Sequence, residues 1–183
     1  MKNNLLKGTL IIIMLLICLT SVVWAQDNKT ISSDDSQVLT LSKGGLSIEY
    51  PSTWGYSEST SEYSIMAISK LDSIDASGIS QININFEKKP VEGDFANFVN
   101  DTYNTLKKDS SFQLVSSGDV AISDRKAIEY IYTFEDNGVE REHKAVWFEK
   151  GGQAYALLYS APTDQFESNL YVFDYILSNI KIT

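Results

Sequence analysis

The chain has 183 residues, 43% of them hydrophobic, and sets 15 Lys and Arg against 24 Asp and Glu for a net charge of −9. That acidic balance argues against nucleic-acid binding through phosphate neutralisation and against docking to an anionic lipid surface. The hydrophobic share and only three Pro argue against disorder.

Lys2 and Lys7 flank a polar start, an apolar run goes from Leu10 to Leu19, and the chain turns polar at Gln26. A positive region, a short apolar region and the pair Val23 and Ala25 at positions −3 and −1 predict a secretory signal over residues 1–25, cut between Ala25 and Gln26. The alternative is a retained anchor, because Gly8 to Trp24 lies at the lower edge of what spans a bilayer. In that case the membrane is met only through this segment. Cleavage removes two Lys and no acid, so the net charge moves to about −11. It also removes the lone Cys18, leaving no disulfide, thiol nucleophile or thiolate metal site.

Residues 26–37 carry almost no apolar side chain and read as a flexible tether, with Asn28-Lys29-Thr30 a glycosylation triplet in an exported chain. One folded domain is expected over residues 38–183. Strand-like runs follow at Val38–Leu41, Leu46–Tyr50, Ile65–Leu71 and Ile79–Glu87; in the last, Ile82, Ile84 and Phe86 alternate with polar residues. Trp54, just after Tyr50-Pro51, reads as a core plug rather than a ligand-stacking ring.

The period then changes. Phe95, Phe98, Val99, Thr102, Tyr103 and Leu106 recur at helical spacing, so Asp94 to Lys108 is expected as an amphipathic helix capped by Asp94. It contains a second glycosylation triplet, Asn100-Asp101-Thr102. Strand signals resume as two runs, Phe112–Ser116 and Val120–Ile122.

Arg125 to Asp136 is strand-like and meets Asn137-Gly138, the strongest short hairpin signal. A type I′ turn there sets Asp136 opposite Val139, Phe134 opposite Arg141, Tyr132 opposite His143, Tyr130 opposite Ala145 and Ile128 opposite Trp147. A second turn at Gly151-Gly152 sets Trp147 opposite Ala156, Ala145 opposite Leu158 and His143 opposite Ser160. Both faces of this meander are apolar, so both must be covered. Pro162 ends its third strand. Thr163 or Asp164 is expected to cap a last helix with the stripe Phe166, Leu170, Phe173, Ile176, Leu177 and Ile180. Tyr171, Val172 and Tyr175 are expected on the opposite side, either as a small amphipathic docking patch or as scattered surface aromatics that the tether or a neighbouring loop covers.

Two helices and a mainly antiparallel sheet make an α+β layered domain. The opening Gly45-Leu46-Ser47-Ile48-Glu49-Tyr50-Pro51-Ser52-Thr53-Trp54 is similar to the strand, Tyr-Pro, polar, Trp opening of the PsbP-like family. The match continues through Val120-Ala121-Ile122, Ala127, Tyr130, the hairpin, Tyr155-Ala156-Leu157-Leu158-Tyr159 and a final helix leading into an Ile-rich strand. The resemblance covers residues 38–183 and implies an α/β/α sandwich around an antiparallel sheet. That family holds extrinsic subunits of the oxygen-evolving photosystem, a nuclear Ran-binding factor and many exported prokaryotic proteins.

The residues themselves carry little chemistry. His143 is the only histidine, and it comes with no nucleophile elbow, oxyanion motif or convergent acid, so it reads as a histidine hydrogen-bonded within the sheet. Glu135, Asp136 and Glu140 at the hairpin tip are the one grouping suited to a weak Ca2+ site. Solvated surface charge is the ordinary meaning of such acids. Gly44-Gly45 and Gly151-Gly152 read as turns, not phosphate loops. The expected function is an exported, non-enzymatic module without cofactor that binds or helps assemble a partner protein at the cell surface. The alternative is an extracytoplasmic domain binding Ca2+, Mn2+ or a small ligand at the sheet rim.

Overall fold

The computed structural model describes residues 37–58 and 62–183. The signal segment, the Ala25–Gln26 cut, nearly all of the tether and Asn28 lie outside the described residues. In chain order the elements are β1 (Val38–Lys43), β2 (Leu46–Pro51), β3 (Trp54–Ser57), β4 (Ser64–Lys70), β5 (Asn83–Pro90), α1 (Phe95–Leu106), β6 (Gln113–Ile122), β7 (Arg125–Asp136), β8 (Val139–Lys150), β9 (Gln153–Pro162), α2 (Phe166–Asn179) and β10 (Lys181–Ile182). Among the described residues no helix is long and apolar enough to cross a membrane.

The strands form a seven-stranded sheet in the order β3-β4-β5-β9-β8-β7-β6 and a three-stranded sheet β1-β2-β10, with antiparallel neighbours throughout. The meander has the register that the sequence implies: Tyr132 pairs with His143, Ile128 with Trp147, and His143 with Ser160. The cause is local. Asn137 and Gly138 take φ of 51° and 79°, the left-handed pair that a type I′ turn requires and that Asn and Gly tolerate.

Both faces of the meander are covered, as its apolar pattern demands. On one face α1 sets Val99 and Tyr103 over Tyr130, Tyr132, Ala145, Trp147 and Ala156. On the other, α2 and the small sheet bring Phe166, Phe173, Ile176, Leu46, Ile48 and Tyr50 against Val146, Phe148, Leu157 and Tyr159. The result is an α/β/α sandwich around an antiparallel sheet. Lys144 fastens the α2 side, reaching Asp174 at 3.0 Å and Glu129 at 3.5 Å. Asp94 caps α1, its carboxylate accepting from the Asn97 amide at 2.9 Å.

Four expectations need correction. The runs at 112–116 and 120–122 are one ten-residue strand, β6, continuous through a bulge between Leu114 and Ser116. Trp54, buried as a core plug should be, also begins a strand, β3, that no alternation announced. The run expected from Ile79 begins as a strand only at Asn83. Ile79 and Gln81 instead close a loop around the Asp75 carboxylate, which accepts from the Ser77 and Ile79 amides and from Gln81 Nε2. Finally, neither Thr163 nor Asp164 caps α2. They sit in a 3-10 turn, Thr163–Gln165, where the Thr163 hydroxyl donates to the Glu140 carbonyl.

Candidate functional site

His143 occupies the centre of a polar row, Tyr132–His143–Ser160–Asn83, running across four strands. Its ring is 1% exposed and stacks on Tyr132 at 4.8 Å and 14°. Neither ring nitrogen has a hydrogen-bond partner among the described residues, so stacking, not hydrogen bonding, holds this side chain. That corrects the expected hydrogen-bonded histidine. Burial, and then the charge of Arg141, push its pKa down to about 3, so the imidazole is neutral at physiological pH. Ser160 turns to Arg141, whose Nε and Nη2 donate to its hydroxyl at 3.1 and 3.0 Å. A serine engaged with a guanidinium beside a buried imidazole does not make a nucleophile–base pair.

Arg141 is the residue that sequence reasoning passed over. It is buried on the α1 face, and besides Ser160 it donates to the Gln81 carbonyl at 2.6 Å and to Gln81 Oε1 at 3.3 Å. Gln81 in turn donates to Asp75, so the guanidinium staples the 71–82 loop to β8 and β9. Desolvation lowers the Arg141 pKa, opposed by the negative field of Asp136. Only its place opposite Phe134 in an apolar row hinted that it would be buried.

The other half of this face is an aromatic cluster. Tyr103 stacks on Tyr130 at 3.5 Å and its hydroxyl accepts from Trp147 Nε1 at 3.0 Å. Burial raises the pKa of both Tyr103 and Tyr132, keeping their hydroxyls protonated. The Tyr130 hydroxyl donates to Asn100 Oδ1 at 2.8 Å. The Asn100 triplet therefore lies within α1, with Thr102 buried and its hydroxyl bonded to the Phe98 carbonyl.

The hairpin tip does not gather its acids. Glu135 and Glu140 are opposite each other, while Asp136 faces Val139 and accepts from Asn137 Nδ2 at 3.0 Å. Among the described residues no group of three or more His, Cys, Asp or Glu is placed to hold a metal ion, and Glu135, Asp136 and Glu140 are not brought together as one.

On α2, Tyr171 and Tyr175 are 54% and 37% exposed, on the side away from Phe173 and Ile176. The Tyr175 hydroxyl donates to Glu49 of β2 at 3.3 Å. Val172 is 0% exposed and belongs to the core. The reason is the width of the buried stripe: Val172 follows Asn169 by three residues and precedes Ile176 by four, and all three are buried. The outward patch is thus the tyrosine pair alone.

No family model matches the chain, and no curated protein matches it. Several solved structures do. Cyanobacterial PsbP (CyanoP) from Synechocystis sp. PCC 6803 matches at a TM-score of 0.58 and 14% identity, over 85% of this chain and 98% of its own. LpqN, involved in cell envelope biogenesis of Mycobacterium tuberculosis, matches at 0.60 and 18% identity, over 80% of this chain and 91% of its own. A Bacteroides thetaiotaomicron protein matches at 0.50 and 14% identity, over 76% of this chain and 45% of its own. The chain has the PsbP-like fold that its motifs resemble.

Proposed function

We propose that this PsbP-like domain works outside the cytoplasm as a non-enzymatic module that docks a partner protein at the cell surface. The observation that carries the reading is the exposed pair Tyr171 and Tyr175 on the outer side of α2, where a surface helix would ordinarily be charged. Residues four apart on a helix are neighbours on one face, and aromatic residues of this kind are enriched at interfaces. The rigid mount supports it: α2 is fixed to the sheet by Phe166, Phe173 and Ile176 and by Lys144–Asp174. The leader-like start and the cell-envelope role printed for LpqN support the location. A buried neutral His143, on which no acid converges among the described residues, supports a non-catalytic role.

Cross-linking of the exported protein in its native envelope identifies the partner. A Tyr171→Ser, Tyr175→Ser variant should keep its Tm and lose that cross-link. Unfolding, or an unchanged cross-link, refutes the assignment of this patch. Calorimetry with Ca2+ and Mn2+ tests the ion-binding alternative, for which no described cluster speaks.

A further inference from the structure

Among the described residues β6 is a free edge of the seven-stranded sheet, opposite the other edge strand β3, and Gln113 to Asp119 are exposed in an unbroken run. Neither helix covers Gln113 to Asp119; only Val120 and Ile122 at its end join the α2-side core. Leu114 and Val115 stand at its start among the few large exposed apolar side chains, and Asp119 is its only charge. A strand edge presents unpaired amides and carbonyls, and their positions follow from the turn that closes the hairpin. Ser123 and Asp124 have φ of 44° and 62° and form a two-residue turn between Ile122 and Arg125. The closing pair of such a hairpin exchanges both of its hydrogen bonds, and every second pair does so thereafter. Ile122, Val120 and Gly118 therefore bond to β7, while Ser117, Asp119 and Ala121 aim their N–H and C=O groups away from the sheet.

We propose that this edge accepts an extended segment of a partner protein as an added strand, with a Lys or Arg of that segment facing Asp119. Strand addition of this kind takes affinity from main-chain bonds and specificity from alternate side chains. A second copy of this chain is a poor occupant. Outward-facing residues must meet outward-facing residues, and pairing centred on Asp119 sets two carboxylates opposite each other. Centring on Gly118 or Val120 leaves the two carboxylates as diagonal neighbours on one face, about 7–8 Å apart; centring on Ser117 sends Asp119 into the bulge between Leu114 and Ser116 of the other copy, and centring on Ala121 sends it into the Ser123 turn. In a chain of net charge −9, the one charge on the edge favours a basic strand and works against self-pairing. This surface is separate from the tyrosine pair on α2, and the two stand or fall independently.

The test uses the full chain and two labelled synthetic peptides of alternating Thr and Val, one with a central Lys and one with a central Glu. Amide exchange followed by NMR should slow at Ser117, Asp119 and Ala121 with the Lys peptide. The Glu peptide should bind more weakly by about threefold to tenfold, as expected for a cross-strand charge pair. Asp119→Lys should reverse that preference. Ser117→Pro removes an outward donor while leaving the ladder to β7 intact, and should abolish binding with an unchanged circular dichroism spectrum. Equal binding of both peptides, no added protection at these three amides, or a wild-type dimer that protects them would overturn the proposal.

Discussion

The hairpins β7–β8 and β6–β7 share a strand and the same kind of two-residue, left-handed turn, yet they differ in what holds them. The β7–β8 turn is Asn137-Gly138, and its strands bury Trp147, Val146, Phe148 and Tyr132 on two covered faces. The β6–β7 turn is Ser123-Asp124, without a glycine, and β6 buries only Ile122. Core packing and turn chemistry both specify the first hairpin. The second rests on its ladder to a strand already fixed, and on Ser123, whose hydroxyl donates to the Ile180 carbonyl at 2.7 Å. A strand ordered by its neighbour rather than by the core is free to serve another neighbour.

The comparison is sharpest in the core. Trp147→Ala removes a buried ring that meets Phe98 edge-on at 6.3 Å, and leaves the Tyr103 hydroxyl without its donor. Urea unfolding should show a loss of about 3–5 kcal/mol. A loss below about 1 kcal/mol would mean that the α1 face is not the packed core described.

His143 adds a pH dependence to the same hairpin. Its folded pKa of about 3 lies below the unfolded value of 6.5. In that window the unfolded chain binds a proton that the folded chain refuses, so stability falls as pH drops from 6.5 towards 3, by up to about 1.4 kcal/mol per unit. His143→Phe keeps the stack on Tyr132 and removes two unpartnered nitrogens. The difference between variant and wild-type stability should widen in the variant's favour as pH falls through this window. Parallel curves would show that His143 is not held neutral.

The register of β7–β8–β9 was legible because Asn137-Gly138 and Gly151-Gly152 fix it at both ends, and one-residue slips would turn every side chain over. β6 was not, because Ser116-Ser117-Gly118-Asp119 has the composition of a turn and only long-range pairing makes it a strand. β3 was missed because it has four residues and contains Gly55. In α2 the apolar period identifies the helix and its core stripe but not the stripe's width, which takes in Val172 as well. Arg141 and Gln81 could not be joined from sequence, since their contact depends on how a 71–82 loop folds across two strands. The tyrosine pair was legible because its spacing put it off the core stripe.

The turns themselves separate the two hairpins more gently. At Gly138, φ of 79° is hostile to a β-branched residue, so Gly138→Val should cost about 1–2 kcal/mol although a Cβ there meets nothing within 4 Å. Asp124 already carries a side chain at φ of 62°, so Asp124→Gly should gain up to about 1 kcal/mol. Thermal melts of the two variants should shift in opposite directions. A shared direction would mean that the two turns are not of one type.

The smallest effect belongs to the edge. Val115 is 58% exposed in the bulge of β6 and lies outside both core clusters, so Val115→Ser removes apolar surface that water already reaches. Its bulge position leaves it without a partner opposite on β7, so the ladder does not depend on its side chain either. Stability in dilute solution should change by less than about 0.5 kcal/mol, against several for Trp147 two strands away. A loss above about 2 kcal/mol would show that something covers this edge in the isolated protein, and β6 would then be an interior strand of a larger sheet rather than a free one.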